Sequence, residues 1–234
     1  MTIIIVKLVA VAVIGYLLGS IPVGYLLLRR HSKMDVRSYG SGKTGAANVL
    51  RTAGRKWGML VAALDICKGA LAVVIAGFIV GSDYLLVGDS GLWWLLTSAQ
   101  VLAALAAVVG HIWSPFLKFK GGRGVATFFG GLVALCPVAA LFGGEVLIIG
   151  AGLTRFVSLG SIAGAVGSYA ILVPLTILNN FPVEYLFYAL VGAVIIFVMH
   201  RDNIRRLISG KERKLGEKAE QVNLPPPDAT KGAR

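Results

Sequence analysis

Acidic residues are scarce in this chain: 11 Asp and Glu stand against 23 Lys and Arg, and charges of both signs make up only 15% of its 234 residues. So little charge cannot cover a soluble surface of this size, and 56% hydrophobic residues with a mean hydropathy of +0.79 place the chain among integral membrane proteins. Cysteine is nearly absent too. Cys67 and Cys136 each lie inside an apolar run without metal-like spacing, so both read as small packing residues, and neither a disulfide nor a zinc site is expected. No acidic pair stands at metal-binding spacing, no Cys nucleophile adjoins a His, and no H-x-x-x-x-D acyltransferase box occurs; no metal or cofactor is expected. The net charge of +12 lies in the gaps between apolar runs. A nucleic-acid partner would need that charge on an exposed face among aromatics, so the charge reports topology and anionic partners, either lipid headgroups or phosphorylated substrates.

The apolar runs predict an all-α polytopic membrane protein with seven transmembrane helices, some of them short. Thr2 to Leu28 is too long for a signal-peptide core, and Arg29, Arg30, Lys33 and Arg37 behind it fix that end in the cytoplasm, which leaves the N-terminus outside. The second run, Trp57 to Val80, carries Asp65 and Lys68 on one helix face. Asp65 lies about 13 Å in from Lys56, where an unpaired charge is costly, so it is expected to pair with Lys68 or with Arg51. Gly81 to Gly91 holds Asp83 and Asp89 without Lys or Arg, as an external loop should. Leu92 to Val109 returns to the cytoplasm. Val125 to Leu153 is flanked by basic residues at both ends, so it must cross an even number of times. Two crossings in about thirty residues are short of the usual ~20 each, with a break expected near Pro137 or at Gly143 and Gly144. A sixth run to Leu178 and a seventh from Tyr185 to Met199 put the C-terminus in the cytoplasm. Residues 1–210 thus form one seven-helix transmembrane domain. Residues 211–234 form a polar tail, expected to be disordered in its last dozen residues.

Four polar clusters fall on the cytoplasmic side. Ser38 to Arg51, SYGSGKTGAANVLR, resembles half a Walker A loop, but Arg37 stands where that pattern needs its first glycine and no strand precedes it. It reads instead as a phosphate nest of Ser41, Gly42, Lys43, Thr44, Asn48 and Arg51. Gly110 to Thr127, GHIWSPFLKFKGGRGVAT, interleaves Gly121, Gly122 and Gly124 with Lys118, Lys120 and Arg123, an anion cradle aimed by the helix that follows. Ser158 and Ser161 lie one helical turn apart in TRFVSLGSI, where they could equally serve close helix packing. HRDNIRRL shares letters with the protein-kinase catalytic loop but has no other kinase feature around it; its useful content is that His200 and Asn203 share a helix face at the membrane boundary. A small permease for phosphorylated metabolites is the rival reading, although no inverted repeat is apparent and the clusters are not at the midplane.

SGKTGAANVLR, GHIWSPFLKFKGGRGVAT, TRFVSLGSI and HRDNIRRL, with the spacing between them, resemble the motifs of the bacterial PlsY family of acyl-phosphate:glycerol-3-phosphate acyltransferases over roughly residues 10–215. The resemblance implies a seven-helix enzyme of the inner membrane whose site faces the cytoplasm. It would move a fatty acyl group from acyl phosphate to the 1-hydroxyl of glycerol 3-phosphate, giving lysophosphatidic acid and phosphate. It places Ser41, Arg51, Arg123, Ser158, His200 and Asn203 in the functional set: His200, Asn203 and Ser158 at the chemistry, with Ser41, Gly42, Lys43, Asn48, Arg51, Gly121, Gly122, Arg123, Gly124 and Ser161 around the substrates. Lys43 stands where the family usually has Asn, and Arg123 where it usually has Lys. Backbone N–H groups of the glycine loops and Asn203 are the candidates for holding the oxyanion, and either His200 or the substrate phosphate for taking the proton.

Overall fold

The computed structural model describes residues 2–87 and 93–221, and it is helical apart from short connections and one antiparallel bridge between Tyr39 and Gln221. In chain order the helices are α1 (Thr2–Ser20), α2 (Val23–Ser32), α3 (Ala46–Ala53), α4 (Arg55–Val87), α5 (Trp93–Ile112), α6 (Val125–Leu135), α7 (Pro137–Thr154), α8 (Val157–Asn179), α9 (Val183–Met199) and α10 (Arg201–Ile208). Among the described residues, five spans are long and apolar enough to cross a membrane: Thr2–Ser32, Arg55–Gly81, Trp93–Leu117, Pro137–Thr154 and Val157–Asn179. Helices α9 and α10 pass the same test only together, with a bend of 57° between them, and α6 is a shorter apolar helix. The chain is thus a multi-pass, all-helical membrane protein. The Asp83 and Asp89 side chains, read from the sequence as an external loop, and the last dozen residues lie outside the described residues.

Proline and local sterics set the breaks. The first apolar run stops at Ile21 and Pro22, because Pro lacks the N–H that would continue the ladder, and resumes as α2. Between α6 and α7, Cys136 is extended (φ −148°) because the following Pro disfavours helical backbone before it, and Pro137 then opens α7 at a position where its missing N–H costs nothing. The expected break therefore falls at Pro137. Gly143 serves a different purpose: a Cβ there would collide with Ser168 of α8, so its bareness lets α7 and α8 close on one another.

Helix α1 packs on α5 and α4, α4 on α6, and α7 on α8, which in turn packs on α9. The largest core cluster centres on Phe128 of α6, stacked on Tyr188 of α9 at 5.3 Å between ring centroids, with the Tyr188 hydroxyl donating to the Phe128 carbonyl at 2.9 Å. This fastens the short α6 into the bundle, so its N-terminus and the loop before it are held at a fixed depth. The candidate site residues all hang on such ends: α3, the start of α6, the start of α8 and the α9–α10 corner.

Candidate active site

A cavity of about 590 Å³ opens where those four ends meet. Ser41, Lys43, Asn48, Arg51, Arg123, Gly124, Ser158, Ser161, His200 and Asn203 line it, so ten residues drawn from four distant stretches share one wall. At its other end the lining turns apolar, with Phe129, Val133, Leu141, Leu147 and Ile148 between α6 and α7. A polar mouth continuous with an oily slot suits an amphiphile whose head is anionic.

Gly42, Gly121 and Gly122 are not part of that lining. The Gly121 N–H donates to the Ile112 carbonyl at 3.0 Å and the Gly122 N–H to the His111 carbonyl at 3.1 Å, so these amides clamp the loop onto the end of α5 and are not available to an anion. The Gly42 N–H is likewise engaged, by the Tyr39 carbonyl at 3.0 Å, in a turn where Gly42 takes φ +68°. The amides of Gly42, Gly121 and Gly122 are thus taken up inside their loops, while Gly124 stays in the cavity wall. The Asn48 amide is engaged in a similar way. Its Oδ1 accepts from the Ser41 N–H at 3.0 Å, while its Nδ2 donates towards the carbonyls of Val36, Tyr39 and Lys43 at 3.0, 3.0 and 2.9 Å, so the amide organises the loop from within. The Ser161 hydroxyl donates to the Val157 carbonyl inside its own helix.

The segment after Gly210, read from the sequence as tail, runs back over the site. Glu212 is buried and accepts from the Ser158 hydroxyl at 2.9 Å, from Asn203 Nδ2 at 2.6 Å and from Arg206 Nε at 2.8 Å. Arg51 is clasped on both sides, its carbonyl accepting from the Ala219 N–H at 3.1 Å and its guanidinium donating to the Arg213 carbonyl at 3.3 Å. The Gly40 N–H donates to the Glu220 carbonyl at 2.9 Å. Sequence reasoning missed Glu212, whose only signal was a lone carboxylate in the basic stretch KERK. It also gave no role to His111, although His111 stands in the quoted motif and lines the cavity.

Positive charge in the mouth exceeds its compensation. The buried Nε atoms of Arg51 and Arg123 and the Oδ1 of Asn203 have no hydrogen-bond partner among the described residues. Burial lowers the Arg123 guanidinium to about 10, with nearby Arg206 and Arg51 adding to the effect and Glu212 opposing it. Burial likewise lowers Lys43, and Arg123 adds to it. His200 is pushed down to about 4, first by burial and then by the Arg123 charge, so it is neutral at pH 7; its Nδ1 lies 2.8 Å from the Ile196 carbonyl and must carry the proton. Burial alone would raise the Glu212 carboxyl, but its bonds from Asn203, Arg206 and Ser158 outweigh that and hold it below the ordinary carboxylate range. Buried cationic donors short of acceptors around a cavity suit an anion.

Known proteins agree with this geometry. The family described as Glycerol-3-phosphate acyltransferase matches residues 9–210. The chain is 64% identical over 213 residues, 91% of its length and 98% of the relative's, to glycerol-3-phosphate acyltransferase 3 of Dehalococcoides mccartyi (strain CBDB1). It is 45% identical over 206 residues to the glycerol-3-phosphate acyltransferase of Synechococcus sp. (strain JA-3-3Ab), covering 87% of this chain and 91% of that one. Its fold is similar to the crystal structure of PlsY, an integral membrane glycerol 3-phosphate acyltransferase, in its glycerol 3-phosphate form, with TM-score 0.75 and 36% identity over 89% of this chain and 96% of that one. The lysophosphatidic acid form of PlsY matches with TM-score 0.73 and the same identity, over 89% and 95% of the two chains. Sequence likeness along almost the whole length, together with a shared helical fold, shows that this chain is an acyltransferase belonging to the PlsY family of glycerol-3-phosphate acyltransferases.

Proposed function

We propose that the chain transfers a fatty acyl group from acyl phosphate to the 1-hydroxyl of glycerol 3-phosphate, forming lysophosphatidic acid and releasing inorganic phosphate. The observation that carries this reading is the joining of two unlike surfaces in one cavity, unpartnered Arg51 and Arg123 at the mouth and the slot between α6 and α7 behind. Both substrates are phosphate anions, whose unit charges about 7 Å apart repel by roughly 2 kcal/mol at an effective dielectric of 20, and the two guanidiniums with Lys43 offset that. The acyl chain lies in the slot.

In the reaction the glycerol hydroxyl oxygen attacks the acyl carbonyl carbon, the C–O bond to phosphate breaks, and the hydroxyl proton leaves with the phosphate. His200 is neutral and a weak base with its Nδ1–H given to Ile196, so its Nε2 orients the hydroxyl while a substrate phosphate takes the proton. Ser158 and Asn203, tied together by Glu212, hold the acceptor and the developing oxyanion; Ser41 and Ser161 border the head groups.

Topologically, α1 with α2, then α4, α5, α6, α7, α8 and α9 make seven crossings of a bacterial inner membrane, with the N-terminus outside and the cavity mouth facing the cytoplasm. The alternation of basic and acidic connections supports this orientation. The catalytic unit extends past residue 210, since Glu212 ties Ser158 to Asn203, and this returning chain is cytoplasmic. The test is reconstitution: purified protein in lipid, given acyl phosphate and glycerol 3-phosphate, releases phosphate only when both are present. Release that ignores glycerol 3-phosphate would sink the reading.

A further inference from the structure

Away from the mouth, three titratable side chains meet between helices. Lys68 Nζ of α4 lies 2.7 Å from Asp65 Oδ1, 2.9 Å from His111 Nδ1 of α5 and 3.1 Å from the carbonyl of Ile21, where α1 gives way to α2. All three residues are buried, Asp65 at 1% exposure. An ammonium has three N–H groups and no lone pair, so Lys68 donates to the Ile21 carbonyl and to His111 Nδ1, which must act as the acceptor, while Asp65 is its ion-pair partner. The imidazole proton is then on Nε2. That atom faces the glycine loop: a Cβ on Gly122 would collide with it, and a Cβ on Gly121 would collide with the His111 carbonyl. The same carbonyl accepts the Gly122 N–H, so ring and backbone of one residue grip the two glycines immediately before Arg123. A second bond, from the Ser114 hydroxyl to the Ser20 carbonyl at 2.6 Å, stitches the segment after His111 to the same α1 end.

We infer that Asp65, Lys68 and His111 are positioning residues of the acyl-transfer site: Asp65 and Lys68 fix the tautomer and plane of His111, and His111 seats Gly121 and Gly122 so that Arg123 is held at the cavity. The reaction assigned to Arg123 rests on the function proposed above; the seating of the loop does not. Small displacements of a charge that must meet a phosphate are expensive, so a loosened seat acts on substrate affinity through Arg123 while leaving the bundle assembled.

The test is a double-substitution cycle in the full-length protein in lipid, assayed with glycerol 3-phosphate and acyl phosphate and accompanied by tryptic cleavage read by mass spectrometry. His111→Ala is expected to raise KM for glycerol 3-phosphate by about tenfold to hundredfold. In an Arg123→Ala background the same change should add less than about twofold, because the group it acts through is gone. His111→Gln, which keeps an acceptor for Lys68 and an N–H beyond it, should recover most of the loss. Cleavage after Arg123 should rise several-fold in His111→Ala, with cleavage after Arg30 unchanged. Losses that multiply across the cycle, or Arg123 equally protected with and without His111, overturn the proposal. Should Arg123→Ala be too slow to assay, the cleavage arm decides alone. If wild-type protein shows the protection but no transfer, the proposed function fails and the seating stands.

Discussion

Two groups of charge border the same cavity, and they are built oppositely. Asp65, Lys68 and His111 are enclosed by α4, α5 and the end of α1, with one anion paired to one cation at 2.7 Å and two neutral acceptors on the ammonium; Asp65 Oδ1 is held by that ion pair and by no aligned hydrogen bond. Arg51, Arg123 and Lys43 hang from loops and helix ends, with Glu212 as the one buried carboxylate among them and with buried guanidinium nitrogens left unmet by the described residues. Charge that serves the fold is matched within the protein. Charge that serves a ligand is left for the ligand to match, and the protein tolerates its cost.

The largest effect should come from unbalancing the matched group. Lys68→Met leaves the Asp65 carboxylate buried without its cation, which is expected to cost about 3–5 kcal/mol of stability. Thermal unfolding in detergent and the yield of folded protein measure it. Adding Asp65→Asn to Lys68→Met should restore most of the loss, since a neutral pair has little to desolvate. An unchanged unfolding temperature in the single variant would mean that water reaches Asp65 and that the two groups do not differ as described.

The unmatched group should behave in reverse. Arg123→Ala removes a buried charge that Glu212 balances only in part, so the folded protein should be no less stable, while kcat/KM falls by about tenfold to 150-fold for a lost charged hydrogen bond worth about 1.5–3 kcal/mol. Arg123→Lys should remain substantially active, because an ammonium serves at a single-point contact. Destabilisation by Arg123→Ala comparable to that of Lys68→Met, with kcat/KM retained in the surviving folded fraction, would place Arg123 with the structural charges.

Much of this contrast was legible in the sequence, and the unread parts share one cause. Hydropathy and the asymmetry of Lys and Arg gave the membrane class, and helical spacing alone put Asp65 and Lys68 on one face. The break at Pro137 followed from backbone sterics. Each of these is a local property. The third partner, His111, lies 43 residues from Lys68, and Glu212 lies 54 residues from Ser158, distances at which no periodicity operates. The engagement of the Gly42, Gly121 and Gly122 amides and of the Asn48 side chain within their loops went unread for a related reason: residue type says what a group can donate, but only the packed structure says which acceptor claims it first.

Arg51 sharpens the comparison, since it is clasped by the returning segment yet keeps an unpartnered Nε. A planar fork held in place can meet a phosphate at two points, so Arg51→Lys should lose about tenfold in kcat/KM despite keeping its charge. Full activity in Arg51→Lys would show that charge alone matters there, as it is expected to at Arg123.

The smallest effect concerns His200, which touches both worlds: its ring is buried like the matched group but sits beside the uncompensated Arg123. Its value falls from the ordinary 6.5 to about 4 in the folded protein, so between those limits the unfolded chain binds the extra proton. Stability should therefore decline as pH drops from 6.5 towards 4, level off below, and show no His200 contribution above 6.5. His200→Gln should remove that decline, which unfolding temperatures at pH 5 and pH 7 would detect. Activity is a separate matter. Because the ring is already neutral from pH 6 to pH 8, the pH profile of kcat/KM over that range should have the same shape in wild type and His200→Gln, differing only in height, and any common inflection belongs to the substrate phosphates, whose second ionisation lies near about 6. An inflection near 6.5 in wild type that vanishes in His200→Gln would make His200 the proton acceptor, and would show that Arg123 does not hold its neighbour in the neutral form.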